Sequence, residues 1–232
     1  MYGVPRSQHG WELSEEKMPE SKLHDEIADL LRAIFAHWAS TQDDVDVARN
    51  LAIRWDEDEP AVGVDPDVSV LSPAPPRTTD LELRSVRTWM PGHSVPPLAI
   101  EIVSTTNPSK DYVIAPDQYA ASGTRELWIF DPLLSGPQSH GGPFHLQIWS
   151  RDDEGRFVRR HAGEAPAYSE FLRAHVVTTN GGTRLRVAND PDGTGLWPTN
   201  AEAAKAETEA ANAREARALE RIAELEALLA KK

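Results

Sequence analysis

Apolar residues between positions 21 and 40 recur every three or four residues, which is the spacing of one face of an α-helix. Ser21 precedes the first of them and can cap the helix by accepting a hydrogen bond from a backbone N–H of the first turn. The pattern therefore predicts a long helix from about Ser21 to Ser40 that packs one face on a core. The apolar positions are Leu23, Ile27, Leu30, Leu31, Ile34 and Trp38.

Two apolar stretches with partial alternation follow this helix and predict the first strands. Val45–Trp55 ends at the acidic turn DEDEP, and Val62–Leu71 begins shortly after it, so the two are expected to form a hairpin. The next stretch, Leu81–Trp89, fits either a strand or a short helix, because its periodicity does not decide between them.

The stretch LAIEIVS, Leu98–Ser104, is apolar except at Glu101 and Ser104, which is typical of a strand at the centre of a sheet. A helix is expected at Ala115–Ser122, since its proline suits a first helical turn and the following glycine can end it. The run ELWIFD, Glu126–Asp131, predicts another buried strand. Strand, helix and strand in this order predict a parallel pair with a right-handed crossover.

The pattern changes after Pro132. The stretches FHLQIWSR and GRFVRRHAG alternate and are joined through DDEG, which predicts a hairpin at an edge of the sheet. A short helix is expected at Glu170–Ala174, and a last strand at TRLRVA. Residues 20–195 are thus expected to form one α/β domain with a mixed central sheet flanked by helices.

The two ends of the chain differ from this domain. Residues 1–19 are polar and have no period, so we expect a flexible lead. Residues 200–232 predict a C-terminal helix with a seven-residue repeat, in which most upstream members are alanine and Glu215 breaks the pattern. The helix fits a single solvated helix as well as a coiled coil. The repeated positions are Ala201, Ala204, Thr208, Ala211, Glu215, Ala218, Ile222, Leu225 and Leu229.

Composition narrows the class of protein. The chain has no cysteine, which excludes disulfides and thiolate metal sites. It has no apolar run of about eighteen residues and no apolar signal-peptide core, so we expect a cytoplasmic protein without a membrane partner. The net charge of −13 argues against tight nonspecific binding to a polyanion, but bound divalent cations would reduce that charge where nucleic acid docks.

Two acidic residues, Asp67 and Glu101, each lie in a run that is expected to be a buried strand. A carboxylate in such a place costs free energy unless it is paired, hydrogen-bonded or bound to a metal. A cation shared by the two carboxylates is the simplest explanation for both.

The spacing PD…ExV around these residues resembles the signature of the PD-(D/E)XK nuclease superfamily. More narrowly, PDVSV, LAIEIVS, QYAASG and ELWIFDP occur in order and together resemble the Uma-type restriction endonuclease family. The resemblance implies a restriction-endonuclease-like core that hydrolyses DNA phosphodiester bonds with Mg²⁺ or Mn²⁺. Asp67, Glu101 and the backbone carbonyl of Ile102 would hold the ion, because Mg²⁺ prefers oxygen ligands.

The third position of the motif departs from the superfamily. A lysine there usually positions and deprotonates the attacking water, whereas this chain has Val103. Many Uma-type sequences instead carry a lysine at the start of the following helix, which corresponds here to Ala115. Lys110, in the loop before that helix, is the nearest lysine. It is either the catalytic substitute or a solvated residue.

The resemblance also implies two site residues at the start of the first helix. Superfamily members often have an acidic residue there, which corresponds to Glu20, and His24 matches a histidine that is common in the Uma-type pattern. Solvated positions beside the apolar stripe are the alternative for both. Asp111 is expected to cap a turn or order its loop, and Tyr119 is expected to pack in the core.

Two functions follow from these features. The first, favoured by Asp67, Glu101 and Lys110, is a Mg²⁺-dependent DNA endonuclease. The second, favoured by Val103 and Ala115, is a catalytically inactive scaffold that binds through its C-terminal helix. A homodimer is expected, because a twofold axis relates two active sites as it relates the strands of a duplex. The edge strands at Phe144–His161 are expected to hold the dimer, and the apolar positions from Ile222 to Leu229 to add little.

Overall fold

Residues 4–13, 21–76 and 83–230 are described by the structure, a computed structural model. Two compact units divide between Trp197 and Pro198. The helices are α1 (Lys22–Ala39), α2 (Ala115–Ser122) and α3 (Asn200–Leu229), with a π-helical turn at Lys110–Ile114 and a 3₁₀ turn at Gln138–His140. The strands are β1 (Asp46–Ala48), β2 (Ala52–Arg54), β3 (Val68–Leu71), β4 (Ser85–Arg87), β5 (Leu98–Ile102), β6 (Glu126–Phe130), β7 (Leu146–Arg151), β8 (Phe157–Gly163), β9 (Ala167–Ser169), β10 (Ala174–Thr179) and β11 (Arg184–Ala188).

Six strands form a central sheet in the order β1-β3-β5-β6-β7-β8. Strands β5 and β6 are parallel, and the other neighbouring pairs are antiparallel. The chain passes from β5 to β6 through the π-helical turn and α2, because parallel neighbours need a crossover connection. The predicted α/β fold is therefore confirmed, with its mixed central sheet, flanking helices and C-terminal helix. The β5–β6 pair and the β7–β8 hairpin at the sheet edge are also confirmed.

Different apolar layers cover the two faces of this sheet. Side chains alternate along β5, so Ile100 and Ile102 pack in the layer that contains the apolar face of α1. Ala99 and Val103 pack in the opposite layer, which contains residues of α2. Glu101 lies between these two in the strand and so faces the α2 side.

The predicted first helix is confirmed as α1. Ser21 caps it, since its Oγ accepts a hydrogen bond from the backbone N–H of His24 at 3.2 Å. Ile27, Leu31 and Phe35 are fully buried against the sheet. Burial of this face fixes the first turn of α1, and with it His24, relative to the central strands.

The single strand expected at Val45–Trp55 is wrong, because the chain breaks into β1 and β2. Strand β1 pairs with β3, whereas β2 pairs in parallel with β4 outside the central sheet. Asn50 separates them with a φ of 47°, and its N–H donates to the carbonyl of Pro66 at 3.1 Å. Asparagine adopts this left-handed conformation more readily than most residues, so an apolar alternation can continue across the break.

Only the last part of the stretch Val62–Leu71 is a strand, β3. Val62 and Val64 form isolated bridges, and Pro66, which has no N–H to donate, precedes the strand. The antiparallel pairing of β1 with β3 agrees with the predicted hairpin partners. The stretch Leu81–Trp89, whose first two residues lie outside the described ranges, contains strand β4.

The short helix expected at Glu170–Ala174 is wrong, and a turn leads into β10 instead. The N–H of Phe171 donates to Glu126 Oε2 and that of Leu172 donates to Ser169 Oγ, each at 3.1 Å. These side-chain acceptors replace the carbonyls that a helix would supply. The last predicted strand is confirmed as β11, which forms a second sheet with β10 and β9.

Residues 4–13, part of the expected flexible lead, pack within the first of the two units, Met1–Trp197. Trp11 is buried in the α2-side layer, at an edge-on angle to Trp55. Arg6 donates to the carbonyl of Trp55 at 2.9 Å, and the indole N–H of Trp55 donates to the carbonyl of Arg6 at 2.6 Å.

The second unit contains α3, a helix of 30 residues. Thr199 and Glu202 form a capping box, in which the Thr199 hydroxyl accepts from the Glu202 N–H and the Glu202 carboxylate accepts from the Thr199 N–H. None of the residues of α3 is buried. Within the described ranges, no helix is long and apolar enough to cross a membrane.

Candidate active site

Strands β3 and β5 bring Asp67 and Glu101 together. Their antiparallel register pairs Val68 with Ile100, so Asp67, one residue before β3, lies opposite Glu101. Asp67 is 8% exposed and Glu101 is 1% exposed. Two carboxylates that are distant in sequence thus share one buried region at the ends of adjacent strands.

Two elements hold the carboxylate of Asp67. The imidazole Nε2 of His24, from the first turn of α1, lies 3.1 Å from Asp67 Oδ2. The backbone N–H of Ile102 donates to the same oxygen at 2.6 Å. The side chains of both Asp67 and His24 are almost fully buried, so the packing of α1 on the sheet fixes their contact.

The Glu101 carboxylate is held from the α2 side of the sheet. The hydroxyl of Tyr119, on α2, donates to Glu101 Oε1 at 2.7 Å. Burial raises the pKa of Glu101 to about 8; the nearby Lys110 ammonium opposes this rise, and the carboxyls of Asp67 and Asp111 add to it. Without a bound cation, burial therefore disfavours the ionised form of Glu101.

Lys110 enters the site from the π-helical turn. Its Nζ lies 3.8 Å from Glu101 Oε2 and 3.8 Å from Asp111 Oδ1. The Glu101 carboxyl raises the pKa of Lys110, so the amino group is a cation at neutral pH. Burial raises the pKa of Asp111 to about 7, against the opposing effect of Lys110. The lysine side chain is 45% exposed and links the buried carboxyls to solvent.

These residues fit a divalent cation that is bound through oxygen. Asp67 and Glu101 supply two carboxylates, and Ile102 supplies a backbone carbonyl beside them; Mg²⁺ is commonly bound by one or two carboxylates and several waters. A cation there would also favour the ionised form of Glu101, which burial disfavours. No three Asp, Glu or His side chains in the described ranges form a complete metal site, so waters or substrate oxygens would fill the remaining positions.

The two positions at which the resemblance implies a lysine have no polar side chain here. Val103 is 5% exposed and packs in the α2-side layer, and Ala115 is fully buried at the start of α2. Glu20 lies outside the described residues. The predicted catalytic residues that the structure brings together are Asp67, Glu101, Lys110 and His24.

Two members of this cluster were not predicted. The ring of Tyr119 packs in the core as expected, but its hydroxyl reaches Glu101. The sequence gives one signal of this contact, which is a tyrosine instead of a phenylalanine at a position expected in the core. A buried hydroxyl needs a hydrogen-bond partner. Asp111 is 4% exposed and faces Lys110, a direction that depends on the π-helical turn. Hydrophobic periodicity gives no sign of such a turn.

Comparison with known proteins gives a family match over the same region. The chain matches the family model Uma2, described as "Putative restriction endonuclease", over residues 11–138, which is more than half of its length and includes all of the candidate site. No curated protein matches the chain. Among solved structures, it is similar to the crystal structure of "a putative nuclease belonging to DUF820 from Anabaena variabilis". The two are 17% identical, the match covers 68% of this chain and 76% of that one, and the TM-score is 0.42.

Proposed function

The chain belongs to the Uma2 family of restriction-endonuclease-like proteins, and on this premise we propose that it is a Mg²⁺- or Mn²⁺-dependent endonuclease that hydrolyses DNA phosphodiester bonds. The observation that carries the proposal is the buried pair of Asp67 and Glu101 on adjacent strands, with the Lys110 ammonium 3.8 Å from Glu101. Burying two carboxylates side by side is costly unless a cation balances them.

The carboxylates and the Ile102 carbonyl would hold the divalent cation. When bound, the ion supplies a neutralising charge for the phosphate and lowers the pKa of a water. His24 and the Ile102 N–H both contact Asp67 Oδ2, so they fix the direction of that carboxylate. Their role is to position Asp67.

Lys110 takes the place of the missing motif lysine in this proposal. The side chain of Lys110 is half-exposed, and its Nζ lies 3.8 Å from Glu101 Oε2 and keeps its proton at neutral pH. A cation in that position attracts a phosphate and can donate a hydrogen bond to a water or to a phosphate oxygen. Val103 and Ala115, the positions of the lysine in related sequences, have no group that could do the same.

A catalytically inactive scaffold that acts through α3 is the second candidate function. Its support is the helix itself, whose 30 residues are all unburied, together with the loss of the lysine from both usual positions. In this alternative, the polar cluster around Glu101 is a remnant of an ancestral active site.

A homodimer is part of the endonuclease proposal. Strand β8 pairs only with β7 in the described part of the sheet, so its other edge is open to a second copy. Antiparallel pairing of two β8 edges across a twofold axis would relate two active sites as a duplex relates its two strands.

Cleavage of supercoiled plasmid DNA tests the proposed function. We expect nicked and linear products with Mg²⁺ or Mn²⁺, none with EDTA, and none from the Asp67→Ala variant. Equal cleavage by the variant would mean that Asp67 has no part in the activity. If a folded wild-type protein gives no cleavage with either metal across a range of salt concentrations, the scaffold function is favoured.

A further inference from the structure

The phenol of Tyr119 is the closest hydrogen-bond donor to the proposed metal-binding carboxylate of Glu101. We propose that Tyr119 is a positioning residue: its hydroxyl holds Glu101 Oε1, so that Oε2 faces Lys110 and the region where a cation would bind. This inference rests on the proposed metal site and extends it to a residue that sequence patterns place in the core.

The contact is short and fully enclosed. Tyr119 is 0% exposed and Glu101 is 1% exposed, and the phenol donates to Oε1 at 2.7 Å. Lys110 Nζ lies 3.8 Å from the other oxygen, Oε2. The two oxygens of one carboxylate therefore have different partners, a buried neutral donor on one side and a half-exposed cation on the other.

The position of Tyr119 is set by both ends of α2. Pro116 lies in the first turn, and Gly123 ends the helix with a φ of 92° in the left-handed region. The hydroxyl of Ser122 donates to the Tyr119 carbonyl at 3.0 Å. The phenol is thus carried on a short helix with defined ends, which allows it to hold Glu101 in one direction.

A residue that only fills the core needs no hydroxyl. The ring packs in the α2-side apolar layer, where phenylalanine would fill nearly the same volume. The extra oxygen is buried at a free-energy cost that a hydrogen bond has to offset. Donors that orient a metal-binding side chain commonly change metal affinity by about 10- to 100-fold when they are removed.

Tyr112 provides a matched control. It lies in the neighbouring π-helical turn, and its hydroxyl also donates to a buried carboxylate, that of Asp131, at 3.0 Å. The same hydroxyl accepts a hydrogen bond from the backbone N–H of Phe144 at 3.0 Å. Tyr119→Phe and Tyr112→Phe each remove one hydroxyl from one buried carboxylate. Of these two hydroxyls, only that of Tyr119 contacts Glu101.

The test measures Mn²⁺ affinity by isothermal titration calorimetry on the full chain, with thermal melts of the same samples. We expect Tyr119→Phe to weaken Mn²⁺ binding by about 10- to 100-fold, and Tyr112→Phe to leave it unchanged although both variants melt earlier. If Tyr119→Phe does not fold, Tyr119→Met fills the core without a hydroxyl and serves in its place.

Three results would overturn the inference. Wild-type affinity in Tyr119→Phe would show that the hydroxyl does not position Glu101, while leaving the metal site intact. Equal losses in both variants would show a general structural effect. No Mn²⁺ binding by the wild type would overturn the proposed metal site, and the positioning role with it.

Discussion

At the scale of single residues, Glu101 shows most clearly how burial and function oppose each other. It lies in β5, where its neighbours on the same face of the strand, Ala99 and Val103, are apolar and buried. A core position would ordinarily take a residue of that kind. The retained carboxyl is costly for the unliganded protein, and a bound cation would remove that cost.

The raised pKa values give the unliganded protein a pH-dependent stability. Folding raises the pKa of Glu101 from 4.5 to about 8 and that of Asp111 from 3.8 to about 7, chiefly through burial. Their protonated forms favour the folded state, so this contribution is fully present below the ordinary pKa values. It is lost as the pH rises through about 7 to 8.

We therefore predict that the melting temperature of the metal-free protein falls between pH 5 and pH 8, and that Glu101→Gln removes the part of the fall that Glu101 contributes and leaves the part from Asp111. Glutamine keeps an acceptor for the Tyr119 hydroxyl but cannot ionise. At pH 8 the variant should melt several degrees higher than the wild type, since about 1 kcal/mol corresponds to roughly 2–4 °C in a chain of this size. If the melting temperatures of both proteins change with pH in the same way, burial does not raise the pKa of Glu101.

At this scale the sequence identifies the acidic residues of the candidate site, but it does not identify the side chains that hydrogen-bond to them. Asp67 and Glu101 stand out because each lies in a mostly apolar run of the sequence. Tyr119 does not stand out, because a tyrosine on the apolar face of a helix has the pattern of a core residue. Its role depends on the direction of one hydroxyl, which requires the packing of α2 on β5.

At the scale of elements, the π-helical turn before α2 determines which residues enter the site. It carries Lys110 and Asp111 to Glu101, whereas Ala115, at the other position where the resemblance implies a lysine, is buried in the core. Such turns often occur at functional sites, because the extra residue changes the direction of the side chains before it.

Lys110→Met tests the function of this turn. If the turn supplies the catalytic cation, DNA cleavage should fall by about 10²- to 10⁴-fold, the usual contribution of one positioned proton donor or acceptor. Lys22→Met is the matched control, because Lys22 is 92% exposed at the start of α1. Equal activity of the two variants would mean that Lys110 is a solvated lysine without a catalytic role.

Element prediction succeeds where burial follows a simple period and fails where polar contacts direct the chain. The period of α1 and the apolar runs of β5 and β6 identify those elements. The break at Asn50 and the turn at Glu170–Ala174 follow instead from backbone hydrogen bonds to Pro66 and Glu126. Those acceptors are distant in sequence, so local patterns could not reveal them.

At the scale of the whole molecule, the edge of β8, which has no second strand partner in the described part of the sheet, and the helix α3 are the two candidate surfaces for the proposed dimer. The large apolar residues of α3 lie near its C-terminal end, and its upstream repeat positions are mostly alanine. Burial of alanine removes little apolar area at about 25 cal/mol per Å². We therefore expect the first unit, Met1–Trp197, to hold the dimer.

A chain that ends at Thr199 tests this prediction by light scattering. The shortened protein should keep the dimeric mass of the full chain, because β8 is intact. A monomeric mass for the shortened protein beside a dimeric mass for the full chain would identify α3 as the dimerisation element. That result would reverse the expected ranking of the two surfaces.

Asp67 and Glu101 are proposed to form one cation site, and a crystal soaked with Mn²⁺ would show the ion itself. We predict a single anomalous-scattering peak that contacts both carboxylates and the Ile102 carbonyl, at distances of about 2.0–2.6 Å. The peak should be absent from crystals of Asp67→Ala. A peak elsewhere in the chain would contradict this prediction. So would a structure in which the two carboxyl groups lie more than about 8 Å apart, because they could not then both bind one ion directly.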